Sequence, residues 1–369
     1  MNKVGETTLQ INLTALEHNF RFFKSKIDSG TKLMAVVKAF AYGSDLVTIA
    51  KKLENLEVDY FAVAYVKEGV LLRNAGIKTP ILVLHPQPIN FEELIDHCLE
   101  PSLYSLNIFK QFLEVAQNKN EKNYPVHVKF NTGLNRLGFW ENDVDLIVST
   151  LQKGKALKIV SVFSHLAASE DANEKSFTEK QIATFERICN QLHEKLGYMP
   201  LRHTLNTSGI LNYPHAQFEM VRSGIGLYGY GNDEAFDAQL KPVATLKTII
   251  SQIHTIEPNE TVGYNRAYTS KGHKKIATLP LGHADGIGRQ YGNGKVFVLI
   301  DGKKAPIIGN VCMDMIMVDI TGIDCKEGDE VLVFGQDNSA ESFASGGKTI
   351  SYEILTAISQ RVKREVISG

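Results

Sequence analysis

The chain has 369 residues, 43% of them hydrophobic and 22% charged, with a formal net charge of -1. That length suits two globular domains, and that balance supplies neither a positive field for nucleic acid nor a polybasic patch for a membrane surface. Four cysteines without a Cys-x-x-Cys, a polar amino terminus and no bilayer-length apolar run exclude a disulfide framework, a zinc centre and an anchor, and point to a cytoplasmic protein.

In chain order, residues 9–13 read as a short strand, and Thr14-Ala-Leu-Glu17 has the pattern of a helix capping box. Leu16, Phe20, Phe23 and Ile27 then recur at helical spacing, which predicts a helix with one buried face. From there strand-like runs alternate with amphipathic stretches. The runs lie at 33–37, 60–64, 81–84, 101–104, 126–130, 158–163, 201–205 and 218–221; one helical stripe passes through Leu46, Ile49, Ala50 and Leu53, another through Ile182, Phe185, Ile188 and Leu192. Repeated units of this kind predict a parallel sheet covered by helices, and their number favours a closed (β/α)8 barrel over an open sheet. Near Lys241-Pro242 the stripes stop. Short runs at 245–253, 275–279, 296–300, 315–320 and 330–334, separated by glycine turns, predict a mostly antiparallel β domain closed by one short helix at 352–362. The expected organisation is an α/β chain: an N-terminal strand in 1–10 that joins the β domain, a barrel over 11–240, and the β domain over 241–369.

The run 33–37 delivers Lys38, followed by Tyr42 and Gly43. Apolar surroundings destabilise an ammonium and free its amine as a nucleophile toward a carbonyl. Lysines are ordinarily exposed, so the segment alone leaves the choice open. Other strand ends carry Lys129, with Arg136 just beyond, then His165, Thr207 and Arg222. Barrel active sites assemble at carboxyl ends of strands, which would bring these residues to one mouth. Gly224-Ile-Gly-Leu-Tyr-Gly229 is literally G-x-G-x-x-G, yet it follows seven earlier units and opens no evident helix, so a dinucleotide site is rejected. Its backbone amides, at Gly224 and Ile225, can still form a phosphate cup with the hydroxyl of Thr207. Ser345-Gly-Gly-Lys-Thr349 looks like the end of a P-loop, but Ser342 occupies the required first glycine, and it reads as a loop. A reactive lysine and a phosphate cup on one barrel suggest pyridoxal phosphate. Arg222 would then face the pyridine nitrogen and keep it unprotonated.

With Lys38, Arg136, His165 and Arg222 laid out, the chain resembles alanine racemase, a pyridoxal-phosphate enzyme of fold type III, along essentially its whole length. The most specific segments are Ala35-Val-Val-Lys-Ala-Phe-Ala-Tyr-Gly43, Asn131-Thr-Gly-Leu-Asn-Arg-Leu-Gly138, Val262-Gly-Tyr264, Leu281-Gly-His-Ala-Asp-Gly286 and Gly309-Asn-Val-Cys-Met-Asp314. The resemblance implies that Lys38 holds the cofactor covalently and exchanges the α-proton on the D-alanine face. It implies that Tyr264, supplied by the partner of a head-to-tail homodimer, does so on the L-alanine face. His165 would link Tyr264 to Arg222. Arg136 would contact the cofactor's phenolic oxygen and the substrate carboxylate, and the Met313 amide would bind that carboxylate too. Tyr42, Thr207, Gly224, Ile225 and Tyr352 would hold the phosphate, and Lys129 matches a lysine that is commonly carbamylated. The product, D-alanine, would serve peptidoglycan.

Phe40, Ser44, Asn131, Thr207 and His283 depart from the family's usual residues without removing an acid, a base or a cofactor anchor. They leave open a racemase of serine or of broader amino-acid specificity. A fold-type III decarboxylase would carry an acidic partner for the pyridine nitrogen. A non-catalytic pyridoxal-phosphate carrier would resemble the barrel alone.

Overall fold

The computed structural model describes residues 5–367; residues 1–4 of the expected N-terminal segment, and 368–369, lie outside the described residues. A first strand, β1 (Thr8–Asn12), leads directly into the helix Leu13–Lys24. The expected capping box is not formed. Asn12, still extended at the end of β1, turns its side-chain oxygen onto the amides of Thr14 and Ala15. An asparagine in that position satisfies the free helix-start donors two residues earlier than Thr14 could. Glu17 is thereby released to pair with Arg21 and Lys52. The apolar stripe behaves as its spacing requires: Leu16, Phe20 and Phe23 are buried, and the helix ends before the partly buried Ile27.

Eight strands follow: β2 (Lys32–Val36), β3 (Tyr60–Val63), β4 (Ile81–Val83), β5 (Glu100–Leu103), β6 (Tyr124–Lys129), β7 (Leu157–Phe163), β8 (Leu201–His203) and β9 (Met220–Ser223). All neighbours are parallel, in the order β8-β7-β6-β5-β4-β3-β2-β9, so β9 returns beside β2 and nearly closes a barrel. The β8/β9 seam is closed by other means. The Arg222 amide donates to the Leu205 carbonyl at 3.1 Å, and Arg202 forks onto Glu219. The predicted barrel is therefore present, each strand within a few residues of its apolar run. A parallel sheet buried on both faces needs continuous rather than alternating apolar sequence, and that is what made these strands visible.

The remaining strands are β10 (Ala244–Ile249), β11 (Gln252–Ile256), β12 (Thr261–Val262), β13 (Tyr268–Thr269), β14 (Lys274–Leu279), β15 (Phe297–Ile300), β16 (Lys303–Ile308), β17 (Ile316–Asp319), β18 (Glu330–Phe334) and β19 (Lys363–Ile367). Nine-stranded pairing runs β11-β14-β17-β16-β15-β18-β10-β1-β19, antiparallel except where β1 lies parallel to β19. Two expectations need correction. The run 245–253 is two strands, β10 and β11, broken after Ile249. The expected helix at 352–362 is a helix Ser351–Ala357 followed by β19, with a further helix at Ala340–Gly346. Helix continuation fails at Ile358, which is extended. There the Arg364 guanidinium collects the carbonyls of Ile358, Ser359 and Val362 and also reaches Gly43 and Ser44 in the barrel. The Ser345–Thr349 segment is the tail of the helix Ala340–Gly346 and its turn, with Lys348 left-handed. No helix of the described residues is long and apolar enough to cross a membrane.

Candidate active site

A cavity of about 740 Å³ opens at the carboxyl ends of the barrel strands. Its lining brings together Lys38, Tyr42, Lys129, Arg136, His165, Thr207, Arg222, Gly224, Ile225 and Tyr352, with Tyr65, His85 and Phe163 between them.

Lys38 is carried on an unusual piece of backbone. The sequence suggested a plain glycine turn, but Ala39, Phe40, Ala41 and Tyr42 all have φ of 53–54° before Gly43 at 78°. Left-handed geometry costs an L-residue about 1–2 kcal/mol, so four in succession require outside support. The Ala39 amide is held by Glu68 Oε1 at 2.6 Å, and the Gly43 amide returns to Ala39 O at 2.8 Å. Tyr42 packs its ring 4.5 Å from that of Tyr228 and 6.1 Å from that of Tyr352. A Cβ at residue 43 would lie 2.1 Å from the Leu355 carbonyl, which only glycine avoids. Lys38 itself is half-buried, and burial followed by the Arg136 charge lowers its pKa, against a smaller opposing pull from Glu68.

Thr207 opens the helix Thr207–Asn212, capped by the Asn206 side chain. Its hydroxyl oxygen accepts from the amides of Gly224 and Gly226. The Tyr42 ring is buried and its side chain lines the cavity, and a Cβ on residue 224 would fall 2.3 Å from its hydroxyl. This glycine-floored cradle of hydroxyl and amide donors fits a phosphate.

Four cations, Lys38, Lys129, Arg136 and Arg222, share the cavity, and no Asp or Glu is among its described lining residues. Burial, then Arg136, Arg222 and Lys38, push Lys129 down to about 8. Burial and Arg136 push Arg222 down to about 9. His165 lies well below its usual value, mainly through burial and then through Arg222, so its ring is neutral. Arg222 is pinned from two sides. Nη1 donates to His203 Nδ1 at 2.7 Å and to His203 O; Nη2 donates to Ser164 O, Thr204 O and, at 3.3 Å, His165 Nδ1. Of the guanidinium's five N–H groups, only Nε–H has no protein partner among the described residues. A donor set this positive suits a ligand bearing phosphate and further anionic oxygens, with a ring nitrogen held as acceptor. The residues fit pyridoxal phosphate joined to an amino acid.

Tyr264 and Met313 are elsewhere. Tyr264 sits on a turn after β12 with 73% of its surface exposed, and Met313 is 59% exposed. They share a groove on the β domain with His283, Arg289 and Asn310. Within one chain, neither lines the cavity that holds Lys38.

Two family profiles match the chain in tandem: "Alanine racemase, N-terminal domain" over residues 11–232 and "Alanine racemase, C-terminal domain" over 243–366. The chain belongs to the alanine racemase family. "Alanine racemase 2" of Caldanaerobacter subterraneus subsp. tengcongensis is 35% identical, covering 98% of this chain and 95% of that protein. The solved alanine racemase of Clostridium difficile 630 superposes with a TM-score of 0.92 at 35% identity, over 100% of this chain and 97% of that one. The alanine racemase of Bartonella henselae, solved with covalently bound pyridoxal phosphate, gives 0.90 at 30% identity, over 99% of this chain and all of that one.

Sequence reasoning about the alanine racemase motifs missed several residues of this site. Glu68 anchors the lysine turn, and Tyr65 and His85 wall the cavity with rings 5.9 Å apart. His203, which seats Arg222, was also missed. Its signal was present: a histidine at the carboxyl end of a barrel strand, where a polar side chain that becomes buried must find a partner.

Proposed function

We propose that the chain interconverts L-alanine and D-alanine as a pyridoxal-phosphate-dependent racemase, with each active site shared between two subunits of a head-to-tail homodimer. The observation that carries this reading is the cavity itself: a lysine of depressed basicity, a phosphate cradle, and cations with no carboxylate among them. The cofactor, when bound, supplies an electron-withdrawing ring that acidifies the α C–H of an amino acid joined to it.

The chain's own residues do the rest. Tyr42, Thr207, Gly224, Ile225 and Tyr352 hold the phosphate. Arg222 offers Nε–H to the ring nitrogen; as a donor it opposes ring protonation and limits side reactions that need a strong electron sink. The missing acidic partner is what separates this reading from a fold-type III decarboxylase. Arg136 and the Met313 amide of the partner subunit orient the substrate carboxylate. Lys38 Nζ takes or returns the α-proton on one face and the phenol of Tyr264 of the partner subunit does so on the other. Because His165 Nδ1 accepts from Arg222, its proton sits on Nε2, where it can donate to the phenolic oxygen and stabilise its anion. Lys129, at about 8, has enough neutral amine to add CO2 and lose a proton, giving a carbamate opposite Arg136.

Borohydride reduction followed by peptide mapping tests the anchor: the adduct is expected on Lys38 alone. Racemisation rates with alanine and serine test the substrate, and a strong serine preference would overturn the alanine assignment. Exchange with 13C-bicarbonate, read by NMR, is expected to give one slow carbamate signal that Lys129→Met removes.

A further inference from the structure

Arg222 does not end at His203. His203 Nε2 lies 3.0 Å from Ser161 Oγ, and Ser161 Oγ lies 2.5 Å from His127 Nδ1. His127 Nε2 lies 2.6 Å from Glu100 Oε2. The two rings and the serine are fully buried, and Glu100 is nearly so. The five residues sit on five consecutive barrel strands, β5, β6, β7, β8 and β9. The chain thus steps around the barrel interior from the amino end of β5 to the mouth.

Its polarity follows from one fact: arginine has no acceptor. Arg222 Nη1 must donate, so His203 Nδ1 accepts and the His203 proton sits on Nε2. That proton goes to Ser161 Oγ. The Ser161 hydroxyl then has a single remaining acceptor, His127 Nδ1, which places the His127 proton on Nε2, facing the Glu100 carboxylate. An imidazolium at His127 would instead leave the Ser161 O–H buried without an acceptor, an expensive state. His203 is also held well below its usual pKa by burial and by Arg222, consistent with a neutral ring. Phe163 stacks flat on His203, with centroids 4.9 Å apart, and fixes the ring plane.

We infer that Glu100 is a positioning residue for the site. As the terminal acceptor beyond His127, Ser161 and His203, it lets every hydrogen bond that Arg222 polarises be satisfied, and so holds the guanidinium with Nε–H presented to the ring nitrogen. The inference rests on the proposed pyridoxal-phosphate reading for its purpose, but its hydrogen-bond directions do not. Glu100→Gln keeps an acceptor for His127 and removes the charge; Ser161→Ala cuts the chain in its middle.

The test is the side-chain 15N spectrum of histidine-labelled protein as purified, with His203 assigned from its loss in a His203→Asn variant. Two neutral Nε2–H tautomers are expected for His127 and His203. In Glu100→Gln the His203 nitrogens are expected to shift although that ring lies two hydrogen-bonded residues away. Turnover in Ser161→Ala is expected to fall roughly tenfold with KM little changed, and Ser161→Thr to restore most of it. A doubly protonated His127, or a His203 spectrum unmoved by Glu100→Gln, would overturn the inference. A purely local packing role for Glu100 would move the His127 signals alone. If borohydride leaves Lys38 unlabelled, the cofactor reading fails while the tautomer result still stands or falls separately. If Ser161→Ala does not fold, the isosteric Glu100→Gln decides.

Discussion

The barrel mouth and the exposed face of the β domain are built on opposite principles. At the mouth, charged groups are buried, backbone strain is braced, and rings are clamped before any ligand arrives. On the β domain, Tyr264, Met313 and Met315 lie open, beside a groove lined by Ile256, Val262, Ile276 and Met317. One region is preorganised and electrostatically costly; the other is cheap and unfinished. Preorganisation is needed where a cofactor must be held against repulsion between cations. An exposed tyrosine with apolar neighbours is what a second subunit would cover.

This contrast can be broken by experiment. The largest effect is expected at the mouth: Lys38→Ala should remove the cofactor's covalent absorbance band and lower racemisation by about 10⁴-fold, measured by polarimetry. Next comes Tyr264→Phe, expected to leave that band intact while slowing turnover about 10²–10⁴-fold, more severely from L-alanine. Co-expressing the two dead variants sharpens the comparison. If the sites are shared as proposed, a mixed dimer would have one site with both an intact lysine and an intact tyrosine, so activity should return; recovery would be absent were both bases drawn from one chain.

A smaller effect concerns the cost of crowding cations. Lys129 is held at about 8 against 10.5 for a free lysine, so the folded protein binds that proton more weakly than the unfolded chain does. The penalty is fully present below about pH 8 and fades as pH rises toward 10.5, worth about 3 kcal/mol in all. In CO2-free, cofactor-free protein, the melting temperature should rise across that window, and Lys129→Met should flatten the rise. Smallest is Gly224→Ala. Its Cβ meets the Tyr42 hydroxyl, and Tyr42 is locked between two rings, so about 1–3 kcal/mol of stability should be lost with weaker cofactor retention, both readable by calorimetry.

How much was legible in the chain differs between the regions for physical reasons. Barrel strands buried on both faces, such as β2, β3 and β4, print continuous apolar runs, and all eight strands overlap the expected runs although β8 is Leu-Arg-His. The β domain prints shorter alternations that blur where strands abut, so β10 and β11 merged, the last helix was carried past its end at Ala357, and β19 was missed. Asn12 outcompeted Thr14 because the strand before it had already set the entry geometry. Ten of the expected site residues line one cavity; nine lie at or just beyond barrel strand ends, and Tyr352 reaches it from the helix Ser351–Ala357. The left-handed turn after Lys38 was invisible, since alanine, phenylalanine and tyrosine carry no preference for it and only tertiary contacts hold it. The Glu100–Arg222 chain was equally hidden: its members lie far apart in sequence and meet only when the strands close.

The clasp made by Arg364 ties the lysine turn to the β domain. Its guanidinium holds the carbonyls of Gly43 and Ser44, at the end of the lysine turn, from a strand near the end of the chain. The turn that aims Lys38 is thus fastened twice, locally by Glu68 and again by a residue about 320 positions further along the chain. Arg364→Ala should loosen that turn and lower the yield of pyridoxal phosphate trapped by borohydride, although Arg364 does not line the cavity.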